Sequence, residues 1–146
     1  MDVLSLVGAL FTLSAAIEPT PLSIGEAPRA QYAPAVDGGR LVWIDWRNGR
    51  LEFWAYDTAT QGEPIVWAAR HAVSVTGPAI SGDIVVWEDA RNPRRSGRDI
   101  YGYDLATEEE FPICTHRGDQ RRPAISGRFV VWEDTRHGDP DIYGYD

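Results

Sequence analysis

A carboxylate and a guanidinium two residues apart occur three times, as Asp45-Trp46-Arg47, Asp89-Ala90-Arg91 and Asp134-Thr135-Arg136. Residues two apart in a β-strand share a face, so each pair can close on itself or reach across a hairpin to a neighbouring unit. Two readings follow. The pairs form a ring of charge offered to a ligand, or each is a staple repeated because its setting is repeated. An active site usually occurs once, whereas three copies of one constellation speak first of architecture. Asp99 and Asp141 open two identical hexapeptides and are expected to accept backbone N–H bonds at a turn.

Other chemistry-bearing patterns are thin. The Gly-x-Ser-x-Gly elbow of serine hydrolases is absent, as are a Gly-rich phosphate loop and a His-Glu-x-x-His pair. Ser81 and Ser126 stand in Ser-Gly turns, and Asp37 replaces them in the first copy, which suits a turn and not a nucleophile. The segment from His137 to Asp141 has the residue types of a metal site but lacks the full calcium-loop spacing, and a solvated turn is the expectation. His71 and His116 stand alone. Cys114 is the single cysteine, so no intrachain disulfide or Cys-rich zinc site can form. Its apolar setting predicts a buried strand residue. No cofactor is implied by any of these patterns. Acid–base carboxylate pairs stay open, because no spacing rule selects among 22 acidic residues.

The elements that position these residues come from an internal repeat. The segment from Gly77 to Arg91 recurs from Arg122 to Arg136, and more weakly from Ala33 to Arg47. Trp43, Trp87 and Trp132 are spaced by 44 and 45 residues, as are Pro34, Pro78 and Pro123. A second block, Asp99-Ile-Tyr-Gly-Tyr-Asp104, recurs identically at 141–146, with Glu52-Phe-Trp-Ala-Tyr-Asp57 as its first copy. The middle copy carries three extra residues between Arg91 and Asp99, an insertion confined to a loop.

Each repeat offers four short strands. In the second they lie around Pro78–Ile80, at Ile84–Glu88, at Ile100–Tyr103 and near Phe111–Cys114. Tyr101 and Tyr103 share one face of the third strand, and Tyr143 and Tyr145 match them in the last copy. Ala55, Gly102 and Gly144 are small at one recurring position, which suggests close approach of a neighbouring sheet. Trp43, Trp87 and Trp132 are expected at equivalent sites between sheets. Four antiparallel strands per period of about 44 residues, apolar on both faces, predict an all-β fold. It is a partial β-propeller of about three four-stranded antiparallel blades, with the last incomplete. No 3.6-residue apolar period supports a helical repeat.

The 146 residues carry a formal net charge of −8, and every basic residue is arginine. That balance argues against a nucleic-acid footprint. Residues 3–16 form an uncharged apolar run ending in small residues, too short for a membrane span of about 20 residues and suited to a signal peptide. Only Met1-Asp2 precede it, without the usual positive charge. The expected organisation is a signal peptide or apolar leader at 1–17, then a linker at 18–30 with a possible closing strand. Three repeats follow at 31–76, 77–121 and 122–146, the third stopping before its fourth strand.

At Val-Val-Trp-Glu-Asp-x-Arg and Asp-Ile-Tyr-Gly-Tyr-Asp the chain resembles TolB-like β-propeller repeats, which occur in periplasmic and cell-surface proteins. The match covers residues 31–146. The first turn reads Ser81-Gly-Asp83 and Ser126-Gly-Arg128 where the common TolB pattern has Ser-Pro-Asp-Gly, which places it nearer the surface-protein variety. WD repeats share the period, but their Gly-His element is missing. The resemblance implies an exported, periplasmic or extracellular scaffold that binds other proteins, with no membrane span in the mature chain. Related propellers also precede serine-peptidase domains and occur in polysaccharide lyases, but no catalytic residue of those enzymes maps onto this chain. Three blades are fewer than the four to eight that close a ring. The expectation is therefore an N-terminal fragment of a longer propeller with an exposed edge, self-association through open blade edges being a third reading.

Overall fold

The computed structural model describes residues 21, 23–62, 64–68, 75–92 and 97–146. The leader at 1–17, His71 and most of the extra loop of the middle repeat lie outside the described residues. Eleven strands and no helix are found among those described, arranged as three antiparallel sheets. The first holds β1 (Gln31–Asp37), β2 (Arg40–Asp45), β3 (Glu52–Asp57) and β4 (Ile65–Ala68). The second holds β5 (Val75–Ser81), β6 (Ile84–Asp89), β7 (Asp99–Asp104) and β8 (Glu109–Cys114). The third holds β9 (Gln120–Ser126), β10 (Phe129–Asp134) and β11 (Asp141–Tyr145). Within each sheet the strands pair in chain order, so every repeat is an up-and-down meander.

Proline shapes the first strand of each sheet. The ladder slips between Tyr32 and Ala35, between Thr76 and Ala79, and opposite Trp132 on β10. Pro34, Pro78 and Pro123 sit inside those slips. A proline has no N–H to give the ladder, so pairing breaks there into a bulge and resumes beyond it. The three bulged strands lie side by side, β1 against β5 and β5 against β9.

The sheets stack face to face through two cores. Val42, Ile44, Phe53, Ala55 and Trp67 of the first sheet meet Ile80, Val85, Trp87 and Tyr103 of the second. Val86 and Ile100, on the other side of the second sheet, meet Val130 and Trp132 of the third. Strands apolar on both faces are needed for this, and Val85-Val86 illustrates it: adjacent residues, both fully buried, in different cores.

One small-residue expectation takes a different form. A Cβ at Gly102 would lie 2.6 Å from the Phe111 ring. Phe111 is its partner on β8 of the same sheet, so the space is filled from the adjacent strand and not by a neighbouring sheet.

Candidate functional site

The Asp-x-Arg element ends β2, β6 and β10, and in each copy it closes on itself. The Asp45 carboxylate accepts the Arg47 backbone N–H at 2.7 Å, its Nε at 2.9 Å and its Nη2 at 2.6 Å. Asp89 accepts the same three groups of Arg91 at 2.8, 2.9 and 2.5 Å. Asp134 accepts the Arg136 backbone N–H at 2.9 Å and its Nη2. All three carboxylates are fully buried. A buried carboxylate must be paired and hydrogen-bonded, and here the fork of its own arginine supplies most of that.

Two further residue types complete each unit. The indole N–H of Trp43, Trp87 or Trp132 donates to the same carboxylate at 3.3, 3.2 and 3.0 Å. Each guanidinium lies over an aromatic ring of the next strand, with its carbon 3.7, 3.8 and 3.9 Å from the ring centroid: Arg47 over Trp54, Arg91 over Tyr101 and Arg136 over Tyr143. These rings face the tryptophans directly across the ladder, as Trp43–Trp54, Trp87–Tyr101 and Trp132–Tyr143. The unit is therefore Trp-x-Asp at the end of one strand, the arginine in the turn that follows, and an aromatic plate on the next strand. Strand periodicity carries the indole signal, because positions i and i+2, the tryptophan and the aspartate, share a face. The plate follows from hairpin register.

The copies differ at their margins. Gln31 and Gln120, each fourteen residues before its aspartate, donate to Asp45 at 2.8 Å and to Asp134 at 3.4 Å. Arg91 gains a second carboxylate, Glu110 of β8. Arg136 reaches the Cys114 sulfur at 3.3 Å, and Cys114 is half-buried against the second core. Asp99 is fully buried and accepts the Asn92 side-chain amide at 3.0 Å, whereas Asp141 is exposed. Tyr103 stacks on Trp67 with centroids 4.3 Å apart, and Tyr145 is largely exposed. His137, Asp139 and Asp141 all lie on the surface, and no group of three metal-ligating side chains is found among the described residues.

The turn residues Asp37 and Ser81 reach beyond their own turns. Asp37 Oδ2 accepts the Gly82 N–H at 2.7 Å, and Ser81 Oγ accepts the Gly127 N–H at 3.0 Å. Each thus latches one sheet to the next. A further seam contact joins Glu88 of β6 to the Arg122 backbone N–H at 3.1 Å. A cavity of about 360 Å³ lies between the first two sheets, floored by Ala55, Ile65 and Leu105. Arg40 on its wall is already answered by Asp57 at 3.5 Å and by Asp83.

Three antiparallel meanders stacked face to face around their first strands are blades. The structure of TolB from Acinetobacter baumannii matches with a TM-score of 0.61 and 21% identity, over 80% of this chain and 30% of that one. A TolB-type protein from Agrobacterium tumefaciens matches with a TM-score of 0.57 and 20% identity, over 73% of this chain and 38% of that one. The fold is that of a TolB-like propeller segment. No protein-family model and no curated protein matches the sequence. The chain spans about a third of the length of these two TolB structures. Within the TolB-like segment, the Trp-x-Asp-x-Arg units sit one per blade, each with its tryptophan buried.

Electrostatics of the units give a pH expectation. Burial disfavours the charge of Asp45 and Asp134, but the hydrogen bonds from arginine and tryptophan, with Gln31 added at Asp45, outweigh it. Both carboxyls are held well below the usual range. A carboxyl depressed in the folded state stabilises above its unfolded value of about 3.9, and that contribution fades as pH falls toward the folded value. Thermal unfolding midpoints should therefore be flat from neutral pH to about 5 and fall steeply below about 4. A midpoint unchanged at pH 2 would show that these carboxylates are not ionised and paired in the fold.

Proposed function

We propose that the chain is an exported, non-catalytic propeller segment acting as a protein-interaction scaffold of the cell envelope. The observation that carries this reading is the inward turn of its polar constellations. All three carboxylates are buried and engaged by their own arginine and tryptophan, which supports a structural staple in each blade over a ring of charge for a ligand. The TolB-like fold supports a scaffold, and the apolar leader supports export. No helix among the described residues is long and apolar enough to cross a membrane.

Two arms test it. Residues 1–30 fused to an alkaline phosphatase stripped of its own signal should give activity outside the cytoplasm; an inactive cytoplasmic fusion removes the export half. A photo-cross-linker at exposed Arg121 of β9 should give a discrete heteromeric band in living cells, lost on unfolding. An exported, folded protein with no such band removes the scaffold half. The second reading, which rests on the resemblance to propellers that accompany such domains, is a propeller portion of a larger serine hydrolase or polysaccharide lyase. Coding sequence after Asp146 that specifies a Gly-x-Ser-x-Gly domain would replace the scaffold reading.

A further inference from the structure

We propose that the cavity between the first two blades is a docking site for a lysine side chain of a protein partner. That the lysine belongs to a protein rests on the scaffold reading; the cavity and its charge do not. Arg40, Ala55, Asp57 and Ile65 of the first blade line it, with Asp83 and Leu105 of the second, around about 360 Å³. Ala55 and Leu105 are buried, so the floor is apolar. Asp57 and Asp83 keep 32% and 44% of their side-chain surface exposed, so both can be reached from solvent.

The charge on these walls does not balance. Arg40 bonds Asp83 and lies 3.5 Å from Asp57, so two carboxylates share one guanidinium. One net negative charge is left beside an apolar floor. The surroundings carry the same sign. The end of the first two sheets that holds Arg40 also holds Asp37, Asp104, Glu108 and Glu109, none of them buried. Among the described residues, Arg40 is the one arginine at that end of these two sheets. A cation is therefore drawn there, and one with an apolar stem can be seated in the cavity.

Repetition separates this cavity from the staples. At the second seam Asp104 keeps the place of Asp57, but Ile84 stands for Arg40 and Arg128 for Asp83, which reverses the charge there. The staple recurs at each blade; this pair of carboxylates does not recur at the second seam. The hydrogen bonds already made select the cation. Asp57 Oδ1 accepts the Ala59 N–H at 2.8 Å, and Arg40 faces its Oδ2. Asp83 Oδ1 accepts from Arg40. Neither carboxylate offers both oxygens to the flat fork of an arginine. A lysine ammonium is compact, carries three donors and needs one oxygen from each. Its four-carbon stem covers Ala55, Ile65 and Leu105.

The test is a nuclear magnetic resonance titration of the full chain, labelled with carbon-13 at isoleucine and leucine methyl groups, with a capped Gly-Lys-Gly peptide. The Ile65 and Leu105 methyl signals should move and saturate. The same peptide with norleucine in place of lysine should bind about tenfold more weakly, and with arginine about threefold more weakly. Asp83→Asn should weaken the lysine peptide about fivefold. Glu109→Gln, on an exposed residue at the same end but outside the cavity, should change binding by less than about twofold. No saturable shift with the lysine peptide overturns the proposal, as does norleucine binding equally well. Equal losses from Asp83→Asn and Glu109→Gln overturn the cavity in favour of a general acidic field, and equal binding of arginine overturns the choice of lysine. The scaffold reading is probed at Arg121, at the opposite end of the sheets, so the two fail separately. A missing cross-linked band leaves the titration standing, and a silent titration leaves the band.

Discussion

Trp87→Ala should cost about 3–5 kcal/mol of unfolding free energy, enough to leave a marginal domain largely unfolded. Trp87 is fully buried, and its ring lies 4.9 Å from Phe53 of the preceding blade and 6.4 Å from Tyr101 of its own. Truncation opens a cavity in the first core, bounded by two stiff sheets that cannot collapse to fill it. It also removes one donor from the buried Asp89 carboxylate. Urea denaturation gives the number. Trp46→Ala is the comparison, since Trp46 is 40% exposed and a surface substitution should stay within about 0.5 kcal/mol. A Trp87→Ala loss below about 1 kcal/mol would mean that the blades are not stacked in this register.

Asp89→Ala should be as damaging, again about 3–5 kcal/mol, for an electrostatic reason. The carboxylate is the common acceptor for the Trp87 indole and for three N–H groups of Arg91. Without it the guanidinium keeps Glu110 and the face of Tyr101. The other donors are left in a dry seam. Replacing both members tests the staple against a ligand site. Asp89→Ala with Arg91→Met removes the stranded charge while keeping apolar cover over Tyr101, so the double variant should cost less than the two single losses added, by about 1–3 kcal/mol. Strict additivity, or a single loss below about 1 kcal/mol, would separate the pair and return Asp89 to the pool of residues available for other work.

What could be read from the sequence follows from what local spacing controls. The strands, turns and number of sheets were legible because a period of two and the punctuation by glycine and proline act over four to eight residues. The Asp-x-Arg spacing was legible, but direct pairing and pairing across the hairpin both stayed open, because each arginine lies in the turn after its strand. The Trp87 indole obeyed the period of two and could have been added. Contacts between sheets were not legible. That Asp37 latches to Gly82 depends on how twisted sheets stack, and no spacing within one repeat encodes it. Gly102 shows the limit from the other side: its small size was readable, but whether a partner strand or a facing sheet fills the space was not.

One buried unit, repeated in every blade, holds the fold. Solvent exchange of the tryptophan indole protons, followed by nuclear magnetic resonance on protein labelled with nitrogen-15 at tryptophan, reads all three copies at once. The indole N–H groups of Trp43, Trp87 and Trp132 should exchange slowly, each held on a buried carboxylate, while that of exposed Trp46 exchanges fast. Exchange of all three at the rate of Trp46 would contradict the account.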